Sequence, residues 1–283
     1  MLLRTRNSAI VRAKQKPRQW GPLSAVRRSV ALCCERWGVD PASVRFVHTG
    51  WSIGFPAVGT HAATIGSPDV TGLGVYCGPG DGCQYSGALE LVSPAVFWHG
   101  DVLGLISTSY YNTLIGKYHS SWAAPYYQYA IKLRGSAASW QAEFSFSRSS
   151  TAYASAIFGG GYTISGVGEN SIFGYRNGYR YAIYRNGVLG DAGTTSGTVY
   201  YDGDTPLELG LVANIAQSVP NANTDVAYVF DAVPETLGLR LTEQPYALLQ
   251  PIPRVTVVDF GSAGGTKIPI FAHHYAQQMR GSA

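Results

Sequence analysis

The carboxylates of this 283-residue chain are the first candidates for chemistry. Asp202 and Asp204 flank a glycine, and Asp225 and Asp231 lie at the two ends of an apolar run. Glycoside hydrolysis requires two acids on facing positions, about 5–9 Å apart. A glycine between two acids marks a turn, and Asp is common at turns and helix caps. We therefore expect no catalytic residue here and a non-enzymatic protein, with glycoside hydrolysis as an alternative.

Histidines and cysteines form no recognised catalytic motif. No histidine lies in an HExxH sequence or beside a G-x-S-x-G turn; the histidines are His48, His61, His99, His119, His273 and His274. The cysteines form an adjacent pair, Cys33 and Cys34, and a spaced pair, Cys77 and Cys83, and neither spacing is that of a zinc ribbon. We expect free thiols, with a Cys77–Cys83 disulfide as the alternative.

No cofactor is predicted, and calcium is the metal alternative. Calcium takes oxygen ligands from loops, and such oxygens occur close together late in the chain. The residues that could provide them are Asp202, Asp204, Asn221, Asn223 and Asp225. The same residue types are common in turns, so their composition does not distinguish a metal site from ordinary turn chemistry.

Aromatic side chains are candidates for a binding surface, because Trp and Tyr combine an apolar ring with a polar group. One group surrounds Pro125, and a second lies in the predicted hairpins. The candidates for binding a glycan are Trp122, Tyr126, Tyr127, Tyr179 and Tyr181. They can bind only if they are exposed; otherwise they pack in the core or between subunits.

Basic residues are concentrated at the beginning of the chain. Residues 1–36 hold nine Lys and Arg and one acid, whereas the remainder holds 12 basic and 16 acidic residues. An arm of one charge on a body of the other predicts a tether to an acidic partner. Its residues are Arg4, Arg6, Arg12, Lys14, Lys16 and Arg18. We expect a protein partner rather than nucleic acid, because the arm has no aromatic platform for bases.

The chain lacks the apolar segments that would direct it to or across a membrane. Its first residues have no apolar core of a secretory signal, and no apolar run reaches about 20 residues. We therefore expect neither export nor insertion into a membrane.

Composition and turn spacing predict an antiparallel β-sandwich. The chain has 34 Gly and 19 Tyr, which suits short strands joined by tight turns. Asn177-Gly178 and Asn186-Gly187 are hairpin signals nine residues apart. Strands are predicted at 31–34, 43–48, 74–77, 88–92, 102–106, 126–133, 140–147, 179–184, 207–212, 225–230 and 254–259. A short helix capped by Asp231 should end before Pro245.

Several segments resemble the laminin-G-like, concanavalin A-like domains of phage and prophage proteins. These segments are Tyr184-Arg-Asn-Gly-Val-Leu, Leu207-Glu-Leu-Gly, Val226-Ala-Tyr-Val-Phe-Asp-Ala-Val-Pro-Glu-Thr-Leu and Gln244-Pro-Tyr-Ala-Leu-Leu-Gln-Pro-Ile-Pro. Residues 2–6, 16–18 and 22–32 resemble the entry to the first strand of that family. The family's usual Trp is replaced by Tyr246, and residues 40–100 match none of its motifs.

The resemblance implies a concanavalin A-like jelly-roll sandwich of two antiparallel sheets. We expect a basic anchoring arm at 1–23, the sandwich at 24–260 and a tail at 261–283. The implied function is that of a virion structural protein, either a capsid decoration or head fibre or a tail appendage, made in the host cytoplasm. Its partners would be other virion proteins and further copies of itself, since low charge and many aromatics suit an oligomer. The alternative is a glycan-binding module of a tail fibre.

Overall fold

Two antiparallel sheets organise the part of the chain that the computed structural model describes. That part comprises residues 23–50, 56–71, 74–78, 81–86, 89–104, 112–118, 127–136, 139–158, 168–197, 199–201, 205–210 and 221–249. The anchoring arm predicted at 1–23 and the tail predicted at 261–283 lie outside it, apart from Leu23. Strands dominate and pair antiparallel throughout, which confirms the predicted β-sandwich.

The two sheets divide the strands as follows. Sheet A contains β1 (Val44–Thr49), β3 (Asp69–Thr71), β4 (Gly74–Cys77), β6 (Pro94–Gly104), β11 (Gly168–Asn177), β12 (Arg180–Arg185), β13 (Val188–Thr194) and β15 (Asn221–Asp231). Sheet B contains β2 (Thr60–Ile65), β5 (Gly82–Ser86), β7 (Asn112–Tyr118), β8 (Tyr127–Ser136), β9 (Ser139–Ser147), β10 (Tyr153–Phe158) and β14 (Leu207–Leu209). Sheet A is ordered β13-β12-β11-β6-β15-β4-β3, with β1 also paired to β15, and sheet B is ordered β10-β9-β8-β7-β14-β5-β2.

Both predicted hairpins form, but their turns differ. Asn186 and Gly187 both have positive φ, at 47° and 81°, and connect β12 to β13 in the type I′ pattern. In the other hairpin Asn177 is the last residue of β11, so the turn consists of Gly178 and Tyr179. Positive φ occurs there at Gly178 alone, which is the type II′ pattern.

The core between the sheets is built from the inward residues of each strand. Trp98 of β6 and Val229 of β15 face Phe144 and Phe146 of β9 across this layer, and all four are fully buried. Gly174 of β11 lies directly over Phe144, where a Cβ would overlap the ring. The glycine therefore sets how closely the sheets approach at this point.

A second apolar layer covers the outer face of sheet A. Two helices, α1 (Leu23–Trp37) and α2 (Thr236–Glu243), contribute buried residues to it together with the segment at 246–249. The guanidinium of Arg240 on α2 lies 4.6 Å from the ring centroid of Trp37 on α1. Sheet A is consequently buried on both faces.

Helix α1 corrects the strand predicted at 31–34. Its buried residues Val26, Val30, Cys33 and Cys34 are spaced i, i+4, i+7 and i+8, which is the pattern of one helical face. Gly38, with φ of 66°, ends the helix. The N–H of Val39 donates to the Cys34 carbonyl and that of Gly38 to the Glu35 carbonyl, which together form a Schellman cap.

The strand predicted at 88–92 is also wrong. Leu89 and Leu91 are buried, but their backbone groups bond to tyrosine side chains rather than to a neighbouring strand. Tyr129 Oη donates to the Leu89 carbonyl at 2.9 Å, and the Leu91 N–H donates to Tyr201 Oη at 2.7 Å. These bonds satisfy the backbone groups without a sheet partner.

Helix α2 ends before Pro245 as predicted, but Asp231 does not cap it. Asp231 is the last residue of β15, and its Oδ1 accepts from the Ser93 N–H at 2.9 Å. The helix begins at Thr236 after Glu235, whose side chain makes no capping bond. Asp231 therefore anchors the loop before β6 instead of the helix.

The remaining strand predictions are confirmed wherever the structure describes them. Strands occupy 44–49, 74–77, 127–136, 139–147, 180–185, 207–209 and 221–231, and residues 102–104 belong to β6. The strand predicted at 254–259 lies outside the described residues. In the part of the chain that the structure describes, neither helix is long and apolar enough to cross a membrane.

The cap of α1 can be tested by substituting Gly38. A Cβ at this position would meet no atom within 4 Å, so only the positive φ resists a side chain. We expect Gly38→Ala to lower the free energy of unfolding by about 1 kcal/mol. Gly38→Asn should cost less than half of that, because Asn tolerates this backbone conformation. Urea unfolding measures both, and a Gly38→Ala variant as stable as the native chain would contradict the cap.

Candidate binding site

The aromatic residues predicted to bind a glycan are dispersed. Tyr179 is 68% exposed at the β11–β12 turn, whereas Tyr181 is partly buried, with its ring centroid 5.5 Å from that of Phe146. Tyr127 is 3% exposed, so its ring is packed and the prediction that it is exposed for binding is wrong. Trp122 and Tyr126 lie outside the described residues, as do all six basic residues of the arm.

The oxygen ligands suggested for calcium are engaged in other contacts where the structure describes them. Asn223 accepts a hydrogen bond from Thr71 Oγ1 at 3.0 Å, and Asp225 accepts one from Tyr246 Oη. Asp202 and Asp204 lie outside the described part of the chain, and of Asn221 only the backbone is described. Within that part, His, Cys, Asp and Glu side chains form no group of three suited to a metal.

A polar cluster around His99 fastens the C-terminal segment to sheet A. His99 Nδ1 lies 2.9 Å from Ser171 Oγ, and its Nε2 lies 3.1 Å from Tyr246 Oη and 3.3 Å from Glu169 Oε1. Burial raises the pKa of Tyr246, and the neighbouring Asp225 carboxylate raises it further. Because a raised pKa keeps the phenol protonated as a donor, the cluster holds Tyr246 in place rather than activating it.

The cysteines are buried free thiols. Burial raises the pKa of Cys33 to about 11 and that of Cys34 to about 12. The thiolate is the nucleophilic form of cysteine, and these values suppress it near neutral pH. The cysteines are therefore packing residues in this fold.

The outer face of sheet B carries a continuous row of small and polar residues across six strands. Since directly opposed residues in antiparallel strands point to the same face, the registers define this row. It runs Gln84, Glu208, Gly116, Ala130, Ser145 and Ser155. Beside it lie Lys132 and Glu143, paired in register, and Gln128 and Ser147. We call these ten residues the polar face.

The polar face contains a buried ion pair. Lys132 Nζ lies 3.2 Å from Glu143 Oε1, and both side chains are almost fully buried. The ammonium also lies 4.4 Å from the ring centroid of Tyr127, and Ser145 Oγ donates to Glu143 Oε1 at 2.9 Å. Burial lowers the pKa of Lys132 to about 8, although Glu143 opposes the shift. Glu143 thus stabilises the positive charge of Lys132, which burial disfavours.

Two acceptor atoms on the polar face have no hydrogen-bond partner in the described part of the chain. They are Glu143 Oε2 and the side-chain oxygen of Gln128, and both are buried. Buried polar atoms are nearly always paired in native proteins, and an unpaired one costs about 1–3 kcal/mol. Both acceptors are therefore closed to solvent as well as unpaired among the described residues.

Exposed tyrosines border the polar face at the β10 edge of sheet B. Tyr153 is paired in register with Ser147 and is 41% exposed, and Lys132 Nζ lies 5.8 Å from its ring centroid. Tyr200 is 37% exposed, and its backbone N–H donates to Ser147 Oγ at 2.9 Å. Exposed rings and buried polar groups are therefore adjacent at this edge, which we call the tyrosine border.

The sequence carried a partial signal for this site. The period-two pattern of residues 140–147 already separates Gln141, Glu143 and Ser145 from the apolar Phe144 and Phe146. It does not reveal that Glu143 lies opposite Lys132, because this register depends on the pairing of β8 with β9. Tyr153 and Tyr200 were not predicted: Tyr153 lies among small residues, and Tyr200 lies beside Val199 and Tyr201 with no alternating pattern that marks it as exposed.

No protein-family model and no curated protein matches the sequence. The fold is similar to that of a Trypanosoma rangeli sialidase in complex with 2,3-difluorosialic acid as a covalent intermediate. That match has a TM-score of 0.55 and 9% identity, and it covers 80% of this chain and 38% of the sialidase. The binding domain of botulinum neurotoxin DC in complex with rat synaptotagmin II is also similar, with a TM-score of 0.52, 10% identity, and coverage of 74% of this chain and 52% of that domain.

The comparisons show the β-sandwich jelly-roll fold. This chain spans well under two thirds of the length of either protein, and at such identities the likeness concerns architecture alone. The resemblance to laminin-G-like phage and prophage proteins, which rests on sequence motifs, stays a prediction.

The energetic role of the ion pair can be tested by removing one or both charges. We expect Lys132→Met to lower the free energy of unfolding by about 3–5 kcal/mol, because it leaves the Glu143 carboxylate buried without its cation. The double variant Lys132→Met, Glu143→Leu should recover the native stability or exceed it. Urea unfolding at pH 7 distinguishes the variants. If the double variant remains less stable than the native chain, the pair is a net stabilising element and the argument is wrong.

Proposed function

We propose that this chain is a non-enzymatic binding module that takes a glycan at the tyrosine border of sheet B. The observation that carries the proposal is the exposure of Tyr153 and Tyr200, which both lie against Ser147: Tyr153 is paired with it in register, and the Tyr200 N–H donates to its hydroxyl. A sugar has an apolar face that packs on an aromatic ring and a rim of hydroxyls that form hydrogen bonds. The exposed rings of the tyrosine border match the apolar face of a sugar.

The distribution of layers supports sheet B as the binding sheet. The outer face of sheet A is covered by α1, α2 and the segment at 246–249. Neither helix contributes to the cluster between the sheets, and none of the helical residues packs on sheet B's polar side in the described part of the chain. The exposed tyrosines at the β10 edge of sheet B therefore lie apart from the layer that covers sheet A.

A binding role without catalysis is favoured by the positions of the acids. Asp225 is held by Tyr246 and Asp231 by the Ser93 N–H, so neither is placed as a general acid or nucleophile. Glu143 is committed to Lys132. Proteins of similar fold were solved with a sialic acid derivative and with a protein partner, which is compatible with a binding role for this architecture.

A glycan array tests the proposal with two variants. The native chain should bind a subset of glycans, and the double variant Tyr153→Ala, Tyr200→Ala should lose at least about tenfold in affinity, since two aromatic contacts are removed. Tyr179→Ala is the matched control, because that tyrosine is more exposed but lies on a turn of sheet A. A blank array for the native chain, or equal losses in both variants, would exclude the proposed site.

The basic arm supports a second proposal, attachment to a virion. Residues 1–22 contain six Lys and Arg and no acid, and they precede the helix that packs on sheet A. An arm of this charge can hold the module on an acidic protein surface while sheet B remains available. The phage resemblance of the sequence motifs favours a capsid or tail protein as that surface, and the module would then act as a decoration or fibre-head component.

Attachment can be tested by charge alone. A variant with Gln at Arg4, Arg6, Arg12, Lys14, Lys16 and Arg18 keeps the length of the arm and removes its charge. We expect this variant to be lost from purified particles, as should a chain lacking residues 1–22, while circular dichroism of both matches the native chain. Quantitative immunoblotting of particles provides the measurement, and normal incorporation of the Gln variant would refute electrostatic anchoring.

A further inference from the structure

We infer that His48 is a pH-sensitive switch that holds strand β1 against sheet B, and that protonation of its ring releases β1 as the pH falls from neutral to about pH 5. This switch is independent of glycan binding at the tyrosine border. It depends on where His48 lies between the sheets and on which atoms its two ring nitrogens contact.

His48 joins β1 of sheet A to β5 of sheet B. Its Nδ1 lies 3.1 Å from Tyr85 Oη, and the ring centroid of Phe46 lies 4.7 Å from that of Tyr85. Phe46 and His48 are two residues apart and therefore point to the same side of β1. All three side chains are fully buried, and Phe46 and Tyr85 belong to the core between the sheets. Tyr85 thus receives both inward side chains of β1.

The surroundings of His48 suit a neutral imidazole and disfavour an imidazolium. A protonated histidine has two N–H groups, and both require acceptors when they are buried. Tyr85 Oη is the partner of Nδ1, whereas Nε2 has no hydrogen-bond partner in the described part of the chain. Nε2 is also closed to solvent, so water does not replace the missing acceptor. Protonation would therefore create a buried charge with an unpaired donor.

The groups that face His48 from sheet B do not compensate a positive charge. Burial raises the pKa of Tyr85 well above its usual value, so the phenol stays neutral. Cys83, two residues earlier on β5, is a buried free thiol. His61 of β2 has its ring centroid 6.0 Å from that of Tyr85, and its protonated form would add a second positive charge.

The strand paired with β1 places no carboxylate against His48 either. His48 lies opposite Ala227 of β15, and the nearby Asp225 carboxylate is bonded to Tyr246 in the polar cluster around His99. Burial accordingly lowers the pKa of His48 from 6.5 to about 3. The imidazole therefore stays neutral for as long as β1 remains in place.

The direction of the pH effect follows from the two states of the chain. Below its ordinary pKa of 6.5, His48 binds a proton when β1 is released, whereas in the fold it stays neutral down to about pH 3. The released state thus holds more protons throughout this window, so stability is lost as the pH falls. Above the ordinary pKa neither state is protonated at His48, and the contact with Tyr85 has its full strength.

Strand β1 can separate while the rest of sheet A stays paired. Among the strands that the structure describes, β1 pairs with β15 alone, whereas β15 also pairs with β6 from Asn221 to Asp231. Local opening costs least where the fewest contacts are lost. Val47, on the other side of β1, packs in the apolar layer that contains α1, so release of β1 also loosens this helix.

Urea unfolding of the native chain and of His48→Gln at pH 7.5 and pH 5 tests the switch. The unfolding equilibrium constant of the native chain should rise about thirtyfold more than that of the variant, because pH 5 lies about 1.5 units below the ordinary pKa of histidine. His61→Gln is the matched control and should behave as the native chain, since His61 is partly exposed on the edge strand β2. Equal pH dependence of the native chain and His48→Gln would overturn the inference.

An NMR titration of the native chain decides the question if His48→Gln does not fold. The assigned Cε1–H resonance of His48 should keep its chemical shift between pH 7.5 and pH 5 while the chain remains folded. A titration of this resonance with a midpoint near pH 6.5 would show that the folded site accepts the proton, and the switch would then be refuted.

Hydrogen exchange at pH 5 locates the opening. After correction for intrinsic rates, the amides of β1 should be at least about tenfold less protected than those of β9, and their exchange should depend weakly on added urea, as local openings do. Equal protection of β1 and β9 would mean that the proton acts only through global unfolding, which contradicts a release of β1.

Discussion

Sheet A buries apolar side chains on both faces, whereas sheet B buries apolar side chains on its inner face and mostly polar ones on its outer face, and this difference governs the rest of the molecule. The central strands of sheet A alternate between two apolar layers. In β6, Val96 and Trp98 face sheet B, whereas Ala95 and Phe97 face the helices. A sheet with two apolar faces is stable in water only when a further layer covers it. Helices α1 and α2 and the segment at 246–249 provide that layer.

The outer face of sheet B is buried as well, but mostly with polar side chains. Its strands place Phe144 and Phe146 inward and Glu143 and Ser145 outward. Burying an ion pair there is unfavourable for stability, because desolvation of two charges is seldom recovered by their mutual attraction. Only 13% of the residues are charged, yet two of them are buried together on one face of sheet B. Packing alone does not explain this arrangement, because burying the two charges lowers stability.

The sequence was informative wherever the determining interactions are local. Asn186-Gly187 forms the predicted turn because positive φ at both residues follows from their own chemistry. The alternation of apolar and polar residues at 140–147 likewise predicts which of these residues face inward. The strand predicted at 31–34 was wrong because four apolar residues were considered alone; including Val26 and Val30 gives the helical period of α1.

Non-local contacts limited the rest of the prediction. Leu89 and Leu91 have the residue types of a strand, yet Tyr129 and Tyr201 supply their backbone partners from distant parts of the chain. Exposure of single tyrosines is equally non-local. Tyr127 and Tyr153 are each the first residue of a sheet B strand. The Tyr127 ring packs beside Lys132, whereas Tyr153 remains 41% exposed. Neither outcome is encoded in the neighbouring residues.

Tyr153 of the tyrosine border gains from lying on a strand rather than on a loop. At the far end of β10, Phe158 packs in the core between the sheets, and Gly190 of β13 passes so close to its ring that a Cβ there would overlap it. This contact joins β10 at the edge of sheet B to β13 at the edge of sheet A. Tyr153 therefore lies on a strand whose other end is packed in the core. A ring held in this way loses little conformational freedom when a ligand packs against it, so more of the contact energy remains for affinity. The same rigidity keeps Tyr153 in a constant relation to Glu143, since β10 and β9 are paired without interruption from Tyr153 to Phe158.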